Sequence, residues 1–394
     1  NLGNHSNGID GTKGIYATMA VNSAPYDGWS IEYAPLSTDC YYVIRNGEQI
    51  NIGMPGRGTL VKYSDTQCYL KLTQWCTNDF AFNEDDVFVI EGLWKQNSGG
   101  NAIMKIEKTY LYYDKITSAW SFHTYPPITV DAGVMQTDGQ RDQYGIHFRM
   151  DQNAAPYDDS WSLEYYQTSV DNIKLMRNGE TISIGKPGVQ VIVKYSDTGY
   201  YLKLEDWIFG AYGWPNGSDP INTDDILIIE GAFRYEPMNV TLNITQSYVY
   251  YDGGKWVCSS KQPTVVDMQN LSAHNANGWT SNGSYFQAAA NGAPLNSNWS
   301  LRYKPTNANA IRVINADGTE TNVGNTDAET IVKYSETEYY LEGWAVGSEN
   351  MKAGTTFVID GMFYNAANDT YIRITKTYIT LNENGTITVT TTAP

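Results

Sequence analysis

The chain has 394 residues, 18% of them charged, with 43 acidic against 26 basic side chains and a formal net charge of −17. So acidic a surface repels phosphate backbones, so a neutral or cationic partner is expected and nucleic acid is not. No apolar run approaches the roughly 18 residues that a membrane-spanning helix needs, so no membrane insertion is expected, and at roughly 100–200 residues per domain the length predicts two to four domains.

In chain order, Ser30-Ile31-Glu32-Tyr33 alternates with period two, the signature of a half-buried strand. Tyr42-Val43-Ile44-Arg45, Asn46-Gly47 and Gln49-Ile50-Asn51-Ile52 form a hairpin signal with Asn-Gly at the turn. A second hairpin is predicted from Thr59 to Leu72 across a Ser-Asp-Thr turn. Val87 to Ile90 and Met104 to Tyr112 supply further strands. Then the series starts again. Ala24-Pro25-Tyr26-Asp27-Gly28-Trp29-Ser30 returns as Ala155-Pro156-Tyr157-Asp158-Asp159-Ser160-Trp161-Ser162, and in shorter form as Ala293-Pro294-Leu295 with Trp299-Ser300. Val61-Lys62-Tyr63-Ser64 matches Val193-Lys194-Tyr195-Ser196 and Val332-Lys333-Tyr334-Ser335. Ile90-Glu91-Gly92 matches Ile229-Glu230-Gly231 and Ile359-Asp360-Gly361. A period this long is a domain and not a solenoid turn. No amphipathic helical stretch stands out. The expected fold is all-β: three tandem homologous antiparallel β-sandwich domains, Ig-like or jelly-roll-like, over residues 1–126, 127–262 and 263–394.

The three copies compare the fold with itself. Trp29, Trp161 and Trp299 begin a strand each time and are expected in the core. Lys62, Lys194 and Lys333 are expected on a solvated strand face. Glu91, Glu230 and Asp360, each before Gly, are expected as buried carboxylates that fix a bulge. Length varies mainly in one loop, after the second hairpin, and loops that vary on a rigid sandwich tend to carry binding. That loop is aromatic: Trp75, Phe80 and Phe82 in copy one, Trp207, Phe209, Tyr212 and Trp214 in copy two, Trp344 in copy three. Turns normally hold Gly, Asn, Asp, Ser and Pro. Exposed, these rings offer flat apolar faces to sugar C–H groups, with Asp206, Asn216 and Asp219 near for hydroxyl hydrogen bonds. Folded back, they cap the open end of the sandwich. Tyr26 and Tyr157, on the Ala-Pro-Tyr-Asp loop, are the second candidate pair.

Chemistry finds few residues. The four histidines fall at unrelated repeat positions, and Glu32 and Glu164 become Arg302 in copy three, which leaves one matched acid per copy where a glycosidase needs two. No enzyme activity is expected. Oxygen-rich stretches at 78–86 and 219–225 suit Ca²⁺, but Lys352-Ala353-Gly354 stand at the matching place, so no shared ion site and no cofactor are expected. Cys40, Cys68, Cys76 and Cys258 have no zinc spacing, and a Cys40–Cys68 or Cys68–Cys76 bridge stays open. The lack of an initiating Met and the Thr-rich end, Thr386 to Thr392, suggest a mature or excised fragment that continues into a linker.

Ala293 to Thr380, through Trp-Ser-Leu-Arg-Tyr, Ile-Val-Lys-Tyr-Ser-Glu-Thr-Glu-Tyr-Tyr-Leu and Phe-Val-Ile-Asp-Gly-Met-Phe, resembles tandem β-sandwich modules of surface or secreted proteins from gut anaerobic bacteria, of carbohydrate-binding-module type. The resemblance implies an extracellular, secreted or surface-attached array. Its implied ligands are a polysaccharide or host glycan, or, as in adhesin arrays, host proteins such as immunoglobulins. A structural spacer is the third reading.

Overall fold

The computed structural model describes residues 1–394 apart from 11–12, 21–23, 27–30, 74–75, 98, 142–144, 152–154, 157–161, 178–179, 214–216, 223, 253–254, 270, 290–300 and 316. It is an all-β chain of three domains. Their sheets have 10, 11 and 12 strands, and the strands fall in residues 2–123, 128–259 and 264–390. The α-helix among the described residues is a single turn, Asp206–Phe209, and no helix there is long and apolar enough to cross a membrane. By compactness, Asn1–Thr129 with Tyr235–Thr241 form one unit, and Val130–Arg234 with Leu242–Pro394 another.

Each repeat is two layers joined by one strand. In repeat three, Leu301–Pro305 pairs through its first half with Ile331–Lys333 and through its second half with Thr356–Asn365. The same strand therefore belongs to both layers and turns the corner between them. Ile31–Pro35 does this in repeat one and Leu163–Gln167 in repeat two. The core lies between the layers. In repeat three, Phe286, Tyr339 and Leu341 of one layer face Ile311, Phe357, Ile359 and Ile372 of the other. Repeats two and three also share a small apolar seam of Ile226, Ile228, Tyr248, Tyr250, Met362 and Tyr371. There Tyr250 meets Tyr371 edge-on at 5.6 Å.

Turn chemistry behaves as the sequence predicts. Asn46 and Gly47 both take positive φ, 52° and 81°, at the tip of the Tyr41–Arg45 and Glu48–Asn51 hairpin. The bulge before Gly92 is also real, because the register of Val87–Gln96 on Ile103–Asp114 shifts between Ile90 and Gly92. The glycine is required there. Gly231 holds φ at 86°, and a Cβ on it would sit 2.8 Å from the Asn172 amide nitrogen. Gly231→Ala is therefore expected to destabilise the chain by about 1–3 kcal/mol, read as a lowered urea midpoint.

Two expectations are corrected. The carboxylates before these glycines are half-exposed on the outer sheet face. Glu91 accepts from the Tyr42 hydroxyl at 3.0 Å and pairs with Lys108, Glu230 pairs with Lys174 at 2.6 Å, and Asp360 faces Arg312 at 3.6 Å. The bulge turns the acid outward, where cations of the neighbouring strands meet it. Conversely, Lys62, Lys194 and Lys333 are not solvated but fully buried, at 0% exposure. The Ala-Pro loop folds over the strand. Lys62 donates to the Ala24 carbonyl at 2.7 Å and Lys194 to the Ala155 carbonyl at 3.1 Å. A tyrosine ring lies beside each ammonium: Tyr26 for Lys62, Tyr200 for Lys194 and Tyr339 for Lys333, at 5.7, 5.1 and 5.4 Å to the centroid. Burial lowers the pKa of all three lysines. The four cysteines are free thiols, so neither bridge forms, and burial pushes the Cys68 thiol up to about 12. Trp29, Trp161 and Trp299 lie outside the described residues.

Candidate functional site: a repeated tryptophan loop

The loop after the second hairpin divides its aromatics between inside and outside. In repeat two, Gly199–Lys203 ends at the buried Leu204 and the chain makes the one-turn helix Asp206–Phe209. Ile208 and Phe209 donate their backbone N–H groups to the Glu205 carbonyl, which winds the turn. A turn this tight puts neighbouring side chains on different sides. Ile208 and Phe209 go into the core and Trp207 points out, 57% exposed. In repeat three the turn Trp344–Val346 does the same: Ala345 and Val346 are buried, and Trp344 is 60% exposed. In repeat one Cys76 is the buried member, and Trp75 is outside the described residues, as are Trp214 and Tyr157. Phe80 and Phe82 pack onto the core, and Arg45 stacks over Phe80 at 4.5 Å. Capping and display are thus both present, on different residues of one loop. Tyr212 is half-buried beside the Trp207 turn, in Gly210–Tyr212. Tyr26, 36% exposed, belongs with Lys62 and not with this loop.

The charges around the tryptophans explain a change that the sequence left as a loss. Glu32 pairs with Lys71, Glu164 with Lys203 at 3.1 Å, and Arg302 with Glu342 at 3.0 Å. The pair is sign-reversed in repeat three. The matched acid is an ion-pair partner across the sheet, two strands away. The signal was available in the sequence, since Lys71 and Lys203 become Glu342 as Glu32 and Glu164 become Arg302. Glu164→Arg and Lys203→Glu singly should each cost about 0.2–1 kcal/mol in urea unfolding, and the double substitution should recover most of it. Two additive losses would sink this pairing.

Trp207 has Lys203 at 5.8 Å from its ring, and its indole N–H donates to Glu205 at 2.6 Å. In repeat two Lys203, its partner Glu164 and Glu205 give Trp207 one cation and two carboxylates, and in repeat three Arg302 pairs with Glu329 and with Glu342, two residues before Trp344 in the chain. Neither site attracts a polyanion. Of the acids proposed for hydroxyl contacts or for calcium, Asp219, Asp225 and Asp86 are engaged elsewhere. Arg177 holds Asp219 at 2.5 Å and Asp225 at 2.7 Å, and Arg45 holds Asp86 at 2.6 Å. In repeat three these arginines and their buried aspartates are replaced together, by Asn315 and Thr355. Asn216 is outside the described residues, as is the side chain of Asp206. Among the described residues no group of three or more His, Cys, Asp or Glu side chains could hold a metal ion. His123 bonds the backbone carbonyl of Glu236, His274 the Glu338 carboxylate and His147 the Tyr195 hydroxyl. Compared with known proteins, the chain matches no family model and no curated protein.

Proposed function

We propose that the chain is a non-catalytic, extracellular binding protein that takes uncharged glycans on a tryptophan displayed once per repeat. One observation carries the reading: the loop position that holds Trp75, Trp207 and Trp344 presents an exposed indole in both repeats where it is described. An indole kept in water costs apolar exposure in the free protein, about 25 cal/mol per Å², which a sugar face stacked on it removes. The net acidic surroundings of Trp207 favour a neutral polysaccharide over a sulfated or phosphorylated one. Three sites on one chain would add avidity on a repeating polymer. Affinity gels cast with starch, cellulose, xylan, mannan, pectin or mucin glycans test it. Retardation by a neutral polymer is expected, and migration unchanged in every gel would refute it.

A further inference from the structure

Each repeat carries an aromatic stripe on the outer face of the layer that leads to its tryptophan. In repeat two, Gly145–Arg149 pairs with Gly199–Lys203, with His147 opposite Tyr201 and Gly145 opposite Lys203. Residues opposite each other in an antiparallel pair share a face. The alternating neighbours Ile146, Phe148 and Leu202 fill the core, so His147, Tyr201 and Lys203 face outward. The His147 and Tyr201 rings lie 4.9 Å apart, and Tyr195 joins from the hairpin end, 5.6 Å from His147. Repeat three builds the same stripe from Tyr285 with Tyr340 and Tyr334, at 4.5 and 5.9 Å. Repeat one builds it from Tyr16 with Tyr69 and Tyr63, at 4.8 and 6.3 Å. All these rings are half-buried. The outer face of an antiparallel sheet is ordinarily polar.

The stripe runs on into the tryptophan loop. The Tyr201 ring lies across Gly145, where a Cβ would sit 2.7 Å from its Cζ, so the ring leans towards the Lys203 rung. The Lys203 ammonium is 5.8 Å from the Trp207 ring and 3.1 Å from Glu164. Tyr340 lies in the same way across Gly283, opposite Glu342, and Tyr69 across Gly14, opposite Lys71. Covering the glycine takes one ring. The second and third extend the apolar surface beyond it in every repeat. Tyr195 donates its backbone N–H to the Gly199 carbonyl, so the stripe spans the strand from Gly199 to Lys203, about 14 Å at roughly 3.4 Å per residue, before Trp207 adds its own face. That is longer than a single sugar ring.

We propose that each repeat binds a run of several sugar units within one neutral polysaccharide chain, laid along this stripe from the hairpin end to the tryptophan. The proposal rests on the reading of Trp207 and Trp344 as sugar platforms and extends it. The rings offer apolar faces, and the ion pair between them and the tryptophan offers donors and acceptors to hydroxyls. The surface is not flat, because the closest rings are tilted by 58°, 54° and 57° in repeats two, three and one. A crystalline polysaccharide face needs coplanar rings and does not fit. A single soluble chain, whose successive units are turned relative to one another, does.

The test is a fluorescence titration of the full chain with malto-, cello-, xylo- and manno-oligosaccharides of one to six units. In the series that binds, affinity should rise about tenfold or more from one unit to six. The His147 imidazole proton resonances should shift with the hexasaccharide and not with the monosaccharide, those of His123 staying in place with both. Tyr16→Ser, His147→Ser and Tyr285→Ser together, one ring per repeat, should weaken hexasaccharide binding about tenfold or more and spare the monosaccharide, and His147→Tyr should keep both. Rings that only pack would lower the unfolding midpoint of the triple variant and leave the affinity of its folded form unchanged, which overturns the proposal. So does an affinity that does not change with length, or a His147 signal that no oligosaccharide moves. The His147 readout uses the wild-type chain and holds if the triple variant fails to fold. In these cases retardation by a neutral polymer keeps the tryptophan reading standing, whereas retardation by no polymer removes that reading and the proposal together.

Discussion

Replacing Trp207 and Trp344 with Ala together is expected to cut retardation in neutral-polysaccharide gels to what a single Trp75 site gives, while leaving the unfolding midpoint unchanged. Both rings lie mostly in water, so little packing is lost with them. Truncating a central aromatic contact typically costs about 2 kcal/mol or more of binding, roughly 30-fold in Kd per site. Where two sites act together on one polymer, the second loss also removes avidity, so the double variant should fall further than either single one. Phe209→Ala is the contrast. It should lower stability by about 3–5 kcal/mol, because it empties a core position under the same loop. Retardation undiminished in the folded double variant would remove Trp207 and Trp344 from the site.

The largest stability effect is expected at the buried lysines. Lys194→Ala removes a side chain of methionine-like volume from a fully buried position and strips the Ala155 carbonyl of its donor. About 2–5 kcal/mol is the expected loss in urea unfolding. Lys194→Met keeps most of the stem and should cost less. Its separate readout is pH. Burial holds the Lys194 pKa below the ordinary value near 10.5, so between the folded value and 10.5 the unfolded chain binds more protons than the folded one. Stability therefore gains from this lysine as pH rises through that window, and the penalty of the buried charge is fully present below it. Lys194→Met should flatten the rise. An identical alkaline slope in wild type and variant would mean that the ammonium is solvated.

The strands and hairpins were legible because their signals are local. Period-two alternation and an Asn-Gly tip need only neighbouring residues, and the repeat itself is written in the chain. The buried lysines were not legible for the opposite reason. Lys62 sits in a short strand whose outer face is covered by a loop 38 residues away, and strand alternation carries no information about that cover. The tryptophan loop was half legible. Its aromatic content singled it out, but which rings turn in and which turn out depends on one turn of helix, and Ile208 and Phe209 read much like Trp207 until that turn is seen. The ion pair beneath it joins residues about 40 apart, and only the reversed signs in repeat three reveal the pairing.

The strands that bring the chain into and out of a repeat decide how it would carry tension. In repeat three the chain comes in along Thr264–Asp267 and leaves along Ile387–Thr390, and both lie on the same edge of Thr370–Leu381. Thr264 faces Thr370 and Thr390 faces Tyr378, so the two attachment points are eight residues apart on one strand, about 26 Å at 3.3 Å per residue. A pull on the polypeptide would pass from the incoming strand across its ladder, along Thr370 to Tyr378, and out. Residues 268–369, with the core and the Trp344 loop, hang beside that path. While the incoming ladder holds, a ligand could be gripped by a module whose own fold feels none of the force.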